Sequence, residues 1–275
     1  MNYSELVSQI KAKKSFLCVG LDIDEQKLPT HLKGTPNGVV DFAQAIIEAT
    51  LPYAVSYKVN TAFFEARGAA GWEQLTQVIS LLKNIAGDTT FNIADAKRGD
   101  IGNTSNEYAK AFFETLPFDA ITVAPYMGSD SISPFLKYPS KWAISLALTS
   151  NQGALDFQMQ ELANGKLLFE EVLATTASWG TTENLMFVAG ATRAEHIAKV
   201  RAAVPHHFLL VPGVGAQGGS LADVWNYGSN AQVGLLVNAS RSILYVSSGT
   251  DFAEAAAQEA HKMQQEMAGY LAQMG

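Results

Sequence analysis

Short apolar runs bounded by glycine or polar residues alternate with longer stretches in which apolar positions recur at helical spacing, and the alternation persists along the chain. The pattern predicts strands over 16–22, 54–60, 90–97, 120–125, 142–149, 185–190, 207–211 and 233–239. Between and after them it predicts helices over 39–51, 71–86, 105–116, 130–137, 166–179, 193–203, 219–227 and 251–273. Strands such as 16–22 and 185–190 are apolar on both faces, which suits a parallel sheet covered by helices. No linker rich in Pro, Gly or Ser, no composition shift and no low-complexity segment divides the chain. The expectation is one α/β domain over 1–275, a closed (β/α)8 or TIM barrel rather than a doubly wound sheet.

Composition narrows the classes of function. With 48% hydrophobic and 16% charged residues in 275, the chain has enough apolar material to order itself. Its 19 basic and 26 acidic residues leave a net charge of −7, so no global basic field exists for a nucleic-acid backbone. A small anion can still be held by a local site. The lone cysteine, Cys18, excludes an intramolecular disulfide and a Cys-based metal cluster, and its apolar strand marks it as a core thiol. The five histidines show no metal-ligand spacing, so no metal is expected. The N-terminal stretch carries no apolar signal core, and no apolar run reaches the roughly 18 residues of a membrane span. The expectation is a soluble cytoplasmic protein.

In a (β/α)8 barrel the active site lies at the C-terminal ends of the strands. There the chain places Asp22 and Asp24, Lys58 and Asn60, Asp95, Lys97 and Asp100, Thr149 to Asn151, Gln217 and Arg241. Residues two apart on a strand share a face, so Asp95 and Lys97 project together, and the Arg98-Gly99 pair lets the chain turn and Asp100 re-enter. Lys58, one strand earlier, extends the set to an alternating array Lys58–Asp95–Lys97–Asp100. Such an array is a structural salt bridge or a device that keeps a lysine protonated as a general acid. The second reading fits charges this costly to bury. Four glycines between Pro212 and Gly219, with Arg241 one strand away, suit a phosphate.

The segment Asp95-Ala96-Lys97-Arg98-Gly99-Asp100-Ile101-Gly102-Asn103-Thr104 resembles the D-x-K-x-x-D signature of the orotidine 5′-phosphate decarboxylase family. With Asp22, Lys58, Pro212 to Gly219 and Arg241-Ser242-Ile243, the resemblance covers the whole chain and is nearest to the longer bacterial subgroup. It implies cofactor-free conversion of orotidine 5′-phosphate to UMP and CO2 in pyrimidine biosynthesis, with Lys97 giving a proton to C6. It further implies that Gln217 and Arg241 hold the phosphate, Ser150 the pyrimidine edge and Asp22 the ribose, with Asp24 as the rival by position. Asp100, Ile101 and Thr104 are implied to enter the neighbouring subunit's site, making a homodimer with shared active sites. Many relatives have glycine before the late arginine, where this chain has Ser240. The alternative is a metal-dependent 3-keto sugar-phosphate decarboxylase or aldolase of the same barrel family. Those enzymes place an acidic metal ligand where this chain has Lys58, and Glu65 is a poor substitute.

Overall fold

The first element is one that the strand–helix alternation does not announce. Asn2 Oδ1 accepts from the Glu5 amide at 2.9 Å while Glu5 Oε2 accepts from the Asn2 amide at 2.7 Å. This reciprocal cap starts α1 (Tyr3–Lys13), which buries Leu6, Val7 and Ile10. Residues 1–190, 193–214 and 219–274 are described in the computed structural model.

The strands are β1 (Leu17–Leu21), β2 (Ala54–Asn60), β3 (Phe91–Arg98), β4 (Ala120–Val123), β5 (Trp142–Leu148), β6 (Leu185–Ala189), β7 (Leu209–Pro212) and β8 (Leu235–Ala239). They pair in parallel in chain order and close through β1 and β8, with Leu17 opposite Val237 and Val19 opposite Ala239. The expected (β/α)8 barrel is therefore the observed one. The helices between strands are α2 (Gly38–Thr50), α3 (Ala62–Glu65), α4 (Gly68–Ala86), α5 (Gly102–Lys110), α6 (Ser129–Leu136), α7 (Leu168–Ala177), α8 (Ala194–Ala203) and α9 (Leu221–Gly228). After β8 come α10 (Arg241–Leu244) and α11 (Phe252–Leu271). The helix expected over 105–116 starts three residues earlier and ends in a π turn, Ala111–Thr115.

Period-2 alternation decides what faces the barrel interior. Tyr57 points outward, its hydroxyl donating to Ile47 O of α2 at 3.0 Å, so Ser56 and Lys58 on either side point in. Cys18 is fully buried, and burial pushes its thiol up to about 12, as a core thiol requires. The Met-rich last helix α11 covers β1 and α2 with Ala256, Ala260 and Met267 buried.

The end of the barrel opposite the strand C-termini is tied by one side chain. Arg201 of α8 is 9% exposed and donates to the carbonyls of Val204, Pro205, His207, Gly228 and Gly234. These acceptors come from three separate chain segments, so the guanidinium links the ends of α8 and α9 to the approach to β8. Its neighbour His207 is neutral, because burial first and the Arg201 charge second lower its imidazole to about 4. Arg201→Leu should leave several of these carbonyls without donors and cost about 3 kcal/mol in a denaturant titration. A loss below about 1 kcal/mol would mean that the carbonyls find other donors.

Candidate active site

Lys58 of β2 is the centre of the charged end. Its ammonium donates to Asp95 Oδ2 at 2.8 Å and to Asp22 Oδ1 at 3.5 Å, and its side chain is only 5% exposed. Burial alone would lower its pKa, but the Asp95 and Asp22 charges outweigh that and hold it above the ordinary lysine range. Asp95 meets two cations, since Lys97 Nζ donates to its Oδ1 at 2.6 Å. Burial alone would raise its carboxyl, yet Lys58 and Lys97 keep it well below the usual carboxylate range. Within one chain the array therefore reads Asp22–Lys58–Asp95–Lys97.

Asp100 stands outside that array. Its carboxylate accepts from the Ile101 amide at 2.7 Å, and its own amide donates to Ser105 Oγ at 3.3 Å, so its bonds are to the segment that leads into α5. The turn also differs from the one expected at Arg98-Gly99. Lys97 itself takes the left-handed conformation, with φ of 46°. Ile101 and Thr104 are exposed, Ile101 at 60%, and neither is among the residues that line their own chain's cavity. Asp100 thus makes no ion pair with Lys97 of the same chain; the strand runs on to Arg98, and Asp100 follows it in the turn before α5.

The strand C-termini enclose a cavity of about 320 Å³. Asp22, Lys58, Asp95 and Lys97 line one end, and Leu146, Val188 and Leu210 of β5, β6 and β7 form an apolar wall. Ser150 lines it after β5, and Arg241 at the start of α10 lines it with Gly213 and Val214. Gly213 has φ of 98°, which glycine adopts without strain, and Val214 bridges Gly219 so that the loop's two ends meet. Gln217 lies outside the described residues. Of the two rivals after β1, Asp22 lines the cavity, whereas Asp24 caps the short helix Glu25–Lys27 through the Gln26 amide at 3.0 Å.

Ser240 has φ of −117°, so its backbone does not need glycine. Its side chain occupies space that a glycine on β1 leaves open. A Cβ at Gly20 would lie 1.8 Å from Ser240 Oγ. Two further residues escaped the sequence reading. Tyr245 holds the segment after β1, donating to Asp22 O at 2.9 Å and accepting from the Asp24 amide at 2.8 Å. Thr122 of β4, 1% exposed, accepts from the Lys97 amide at 2.9 Å and donates to Asp95 Oδ1 at 3.0 Å. The only sequence signal for Thr122 was a hydroxyl within an otherwise apolar strand.

Fold and site together define a (β/α)8 barrel with an ionised, largely buried array at the C-terminal ends of its first strands and an arginine lining the same cavity. The chain belongs to the orotidine 5′-phosphate decarboxylase / HUMPS family, whose sequence profile matches residues 15–264. It is 57% identical over 268 residues to an orotidine 5′-phosphate decarboxylase of Flavobacterium johnsoniae, covering 98% of this chain and 97% of that one. Among solved structures it resembles Leishmania donovani OMP decarboxylase, with a TM-score of 0.80, 36% identity, and coverage of 96% of this chain and 99% of that one. It also resembles Leishmania donovani UMP synthase, with a TM-score of 0.82 and 38% identity, where it covers 96% of itself and 57% of the longer chain.

The coupling of Lys58 to Asp95 has a measurable consequence. Lys58→Met should cost about 3–4 kcal/mol of stability at pH 7, because Asp95 keeps its burial and loses its nearest buried cation. In the wild type, Asp95 stays ionised in the folded state below the pH at which the unfolded carboxylate protonates, about 4. Wild-type stability is therefore lost as pH falls through that range, while the mutant, whose Asp95 protonates more readily, loses less. The gap between the two chains in chemical unfolding should narrow as pH is lowered from about 5 to 3. A gap that is constant or widens would show that Asp95 does not depend on Lys58.

Proposed function

We propose that this chain decarboxylates orotidine 5′-phosphate to UMP and CO2 without a cofactor, as a cytoplasmic homodimer with shared active sites. The observation that carries the reading is the array of Asp22, Lys58, Asp95 and Lys97 in a cavity that Arg241 also lines. The family membership and the named relatives supply its chemistry.

On this reading Arg241, the Pro212–Gly219 loop and Gln217 take the phosphate, whose remote binding energy positions the pyrimidine. Ser150 meets the edge of the base and Asp22 the ribose. The C6 carboxylate then lies toward Asp95, whose fixed negative charge disfavours the carboxylate relative to neutral CO2. As the bond from C6 to the carboxyl carbon breaks, its electron pair stays on C6. Lys97 delivers a proton to that carbon and the CO2 leaves. Lys58 holds Asp95 ionised and oriented throughout. The metal-dependent alternative is disfavoured by Lys58, a cation where such enzymes place an acidic metal ligand. Glu65 is also engaged, by Arg98.

Among the described residues no helix is long and apolar enough to cross a membrane, in keeping with the cytoplasmic assignment. The dimer is supported by Asp100, Ile101 and Thr104, which are not among the residues lining their own chain's cavity. A two-fold partner at that face would receive Asp100 beside its own Lys97.

Loss of the substrate's ultraviolet absorbance when orotidine 5′-phosphate is added in EDTA tests the activity. Lys97→Ala should keep the fold and lose turnover by several orders of magnitude. Activity within about tenfold of wild type would remove Lys97 as proton donor.

The shared site has its own test. A Lys97→Ala chain and an Asp100→Ala chain, each nearly inactive, should regain activity when mixed and allowed to exchange subunits. In the heterodimer one site carries both defects and the other neither, so recovery approaches about half the wild-type rate per dimer. Proven exchange without recovery would place Asp100 in its own chain's function.

A further inference from the structure

We propose that Thr122 is a positioning residue for the decarboxylation, its hydroxyl fixing the Lys97 backbone and the Asp95 carboxylate in a single geometry. The inference rests on the decarboxylase reading above. It starts from a fault in the β-ladder. Ala94 of β3 pairs with Ile121 of β4, and the next pair is Arg98 with Val123, so residues 95 to 97 of β3 stand opposite the single residue Thr122. The bulge ejects Asp95 and Lys97 from the ladder toward the cavity.

An ejected segment loses its ladder partners on β4, and its polar backbone groups there need replacements. The replacements are specific. The Asp95 carbonyl keeps its ladder bond to β2, accepting from the Thr61 amide at 3.3 Å, while the Ala96 carbonyl accepts from Arg98 Nη1 at 2.9 Å. The Arg98 carbonyl accepts from the Ala124 amide at 3.0 Å, which resumes the ladder. The Lys97 amide is left to the Thr122 hydroxyl, which in turn donates to Asp95 Oδ1.

Thr122 therefore closes a ring: Lys97 amide, Thr122 hydroxyl, Asp95 carboxylate and Lys97 ammonium. The ring holds Lys97 in its left-handed conformation, a backbone state that a lysine does not favour unaided. It also orients the carboxylate oxygen that receives the ammonium. Isosteric valine has neither function, since it can accept no proton from the amide and donate none to the carboxylate. Serine keeps both.

The test uses the purified full-length chain with Thr122→Val, Thr122→Ser and Thr122→Ala, each checked for folding by circular dichroism. With orotidine 5′-phosphate, Thr122→Val should lower kcat about 10–100-fold, the range expected for losing one hydrogen bond to a charged group. KM should move less than about threefold, because the Thr122 hydroxyl is bonded to Lys97 and Asp95 and not to Arg241. Thr122→Ser should recover kcat to within about threefold of wild type, which a purely packing role for the threonine methyl would not allow. Thr122→Ala substitutes for the valine chain if that chain does not fold, and the same loss is expected. Amide hydrogen exchange at Lys97 reads the hydrogen bond without reference to activity, and should accelerate at least about tenfold in the valine or alanine chain but not in the serine chain. A valine or alanine chain with kcat within about threefold of wild type overturns the proposal. So does unchanged exchange at Lys97. A wild-type chain that does not decarboxylate the nucleotide overturns the reading beneath it, while the exchange measurement still decides the role of Thr122.

Discussion

A lysine ammonium that is 5% exposed in a protein interior is the constraint around which the site is built. The cost of removing Lys58 from water is offset only if carboxylates are held close and oriented, and two are, at 2.8 and 3.5 Å. One follows β1, the cation lies on β2 and the other carboxylate lies on β3. Consecutive parallel strands bring these three C-terminal ends side by side, so the topology itself supplies the neutralisation. Asp95 then takes a second lysine, and Thr122 of β4 orients it. The Asp22–Lys58–Asp95–Lys97 array and the hydroxyl that orients it thus come from the ends of β1 to β4, while β5, β6 and β7 contribute the apolar Leu146, Val188 and Leu210. Low polarity opposite the array strengthens the field of its fixed charges.

The lysine and the arginine that line the cavity are not independent. Gly20 stands opposite Lys58 in the β1–β2 ladder, and its missing side chain is the space that Ser240 enters, one residue before Arg241. The bulk gained where many relatives carry glycine is accommodated by a glycine on the neighbouring strand. In a close-packed interior such an exchange keeps local volume constant and leaves the backbone undisturbed. The segment that leads into Arg241 thus packs against the strand that adjoins the lysine.

How much of this is legible in the sequence follows from which interactions are local. All eight strands were legible, because burial on both faces leaves apolar runs that no surface element shows. The residues of the array were legible as strand-end charges, since charge is conspicuous in an apolar context. α1 was overlooked although its capping pair Asn2 and Glu5 is a local signal; its apolar residues are few, and helical periodicity in a polar segment is weak. The bulge at Asp95 to Lys97 was not legible, because it is a mismatch between two strands and exists in neither alone. For the same reason the turn was assigned to Gly99, the residue with local freedom, when the ladder imposes it on Lys97. Thr122 and Tyr245 were missed because each acts through a partner remote in sequence.

Lys58 and Lys97 share Asp95 but differ sharply in surroundings, with side chains 5% and 52% exposed. A buried ammonium between two carboxylates has no route to give up its proton and every electrostatic reason to keep it, so Lys58 serves as a fixed charge. Lys97 sits at the open end of the array, with one carboxylate and access to the cavity, which is what a group that must lose and regain a proton each cycle requires. On the proposed reading a second carboxylate comes from the partner's copy of the α5 entry, so that the charge array is complete only in the dimer. The division follows from the strand order. The lysine on β2 is locked by the carboxylates that follow β1 and lie on β3, and the one on the β3 bulge remains available for chemistry.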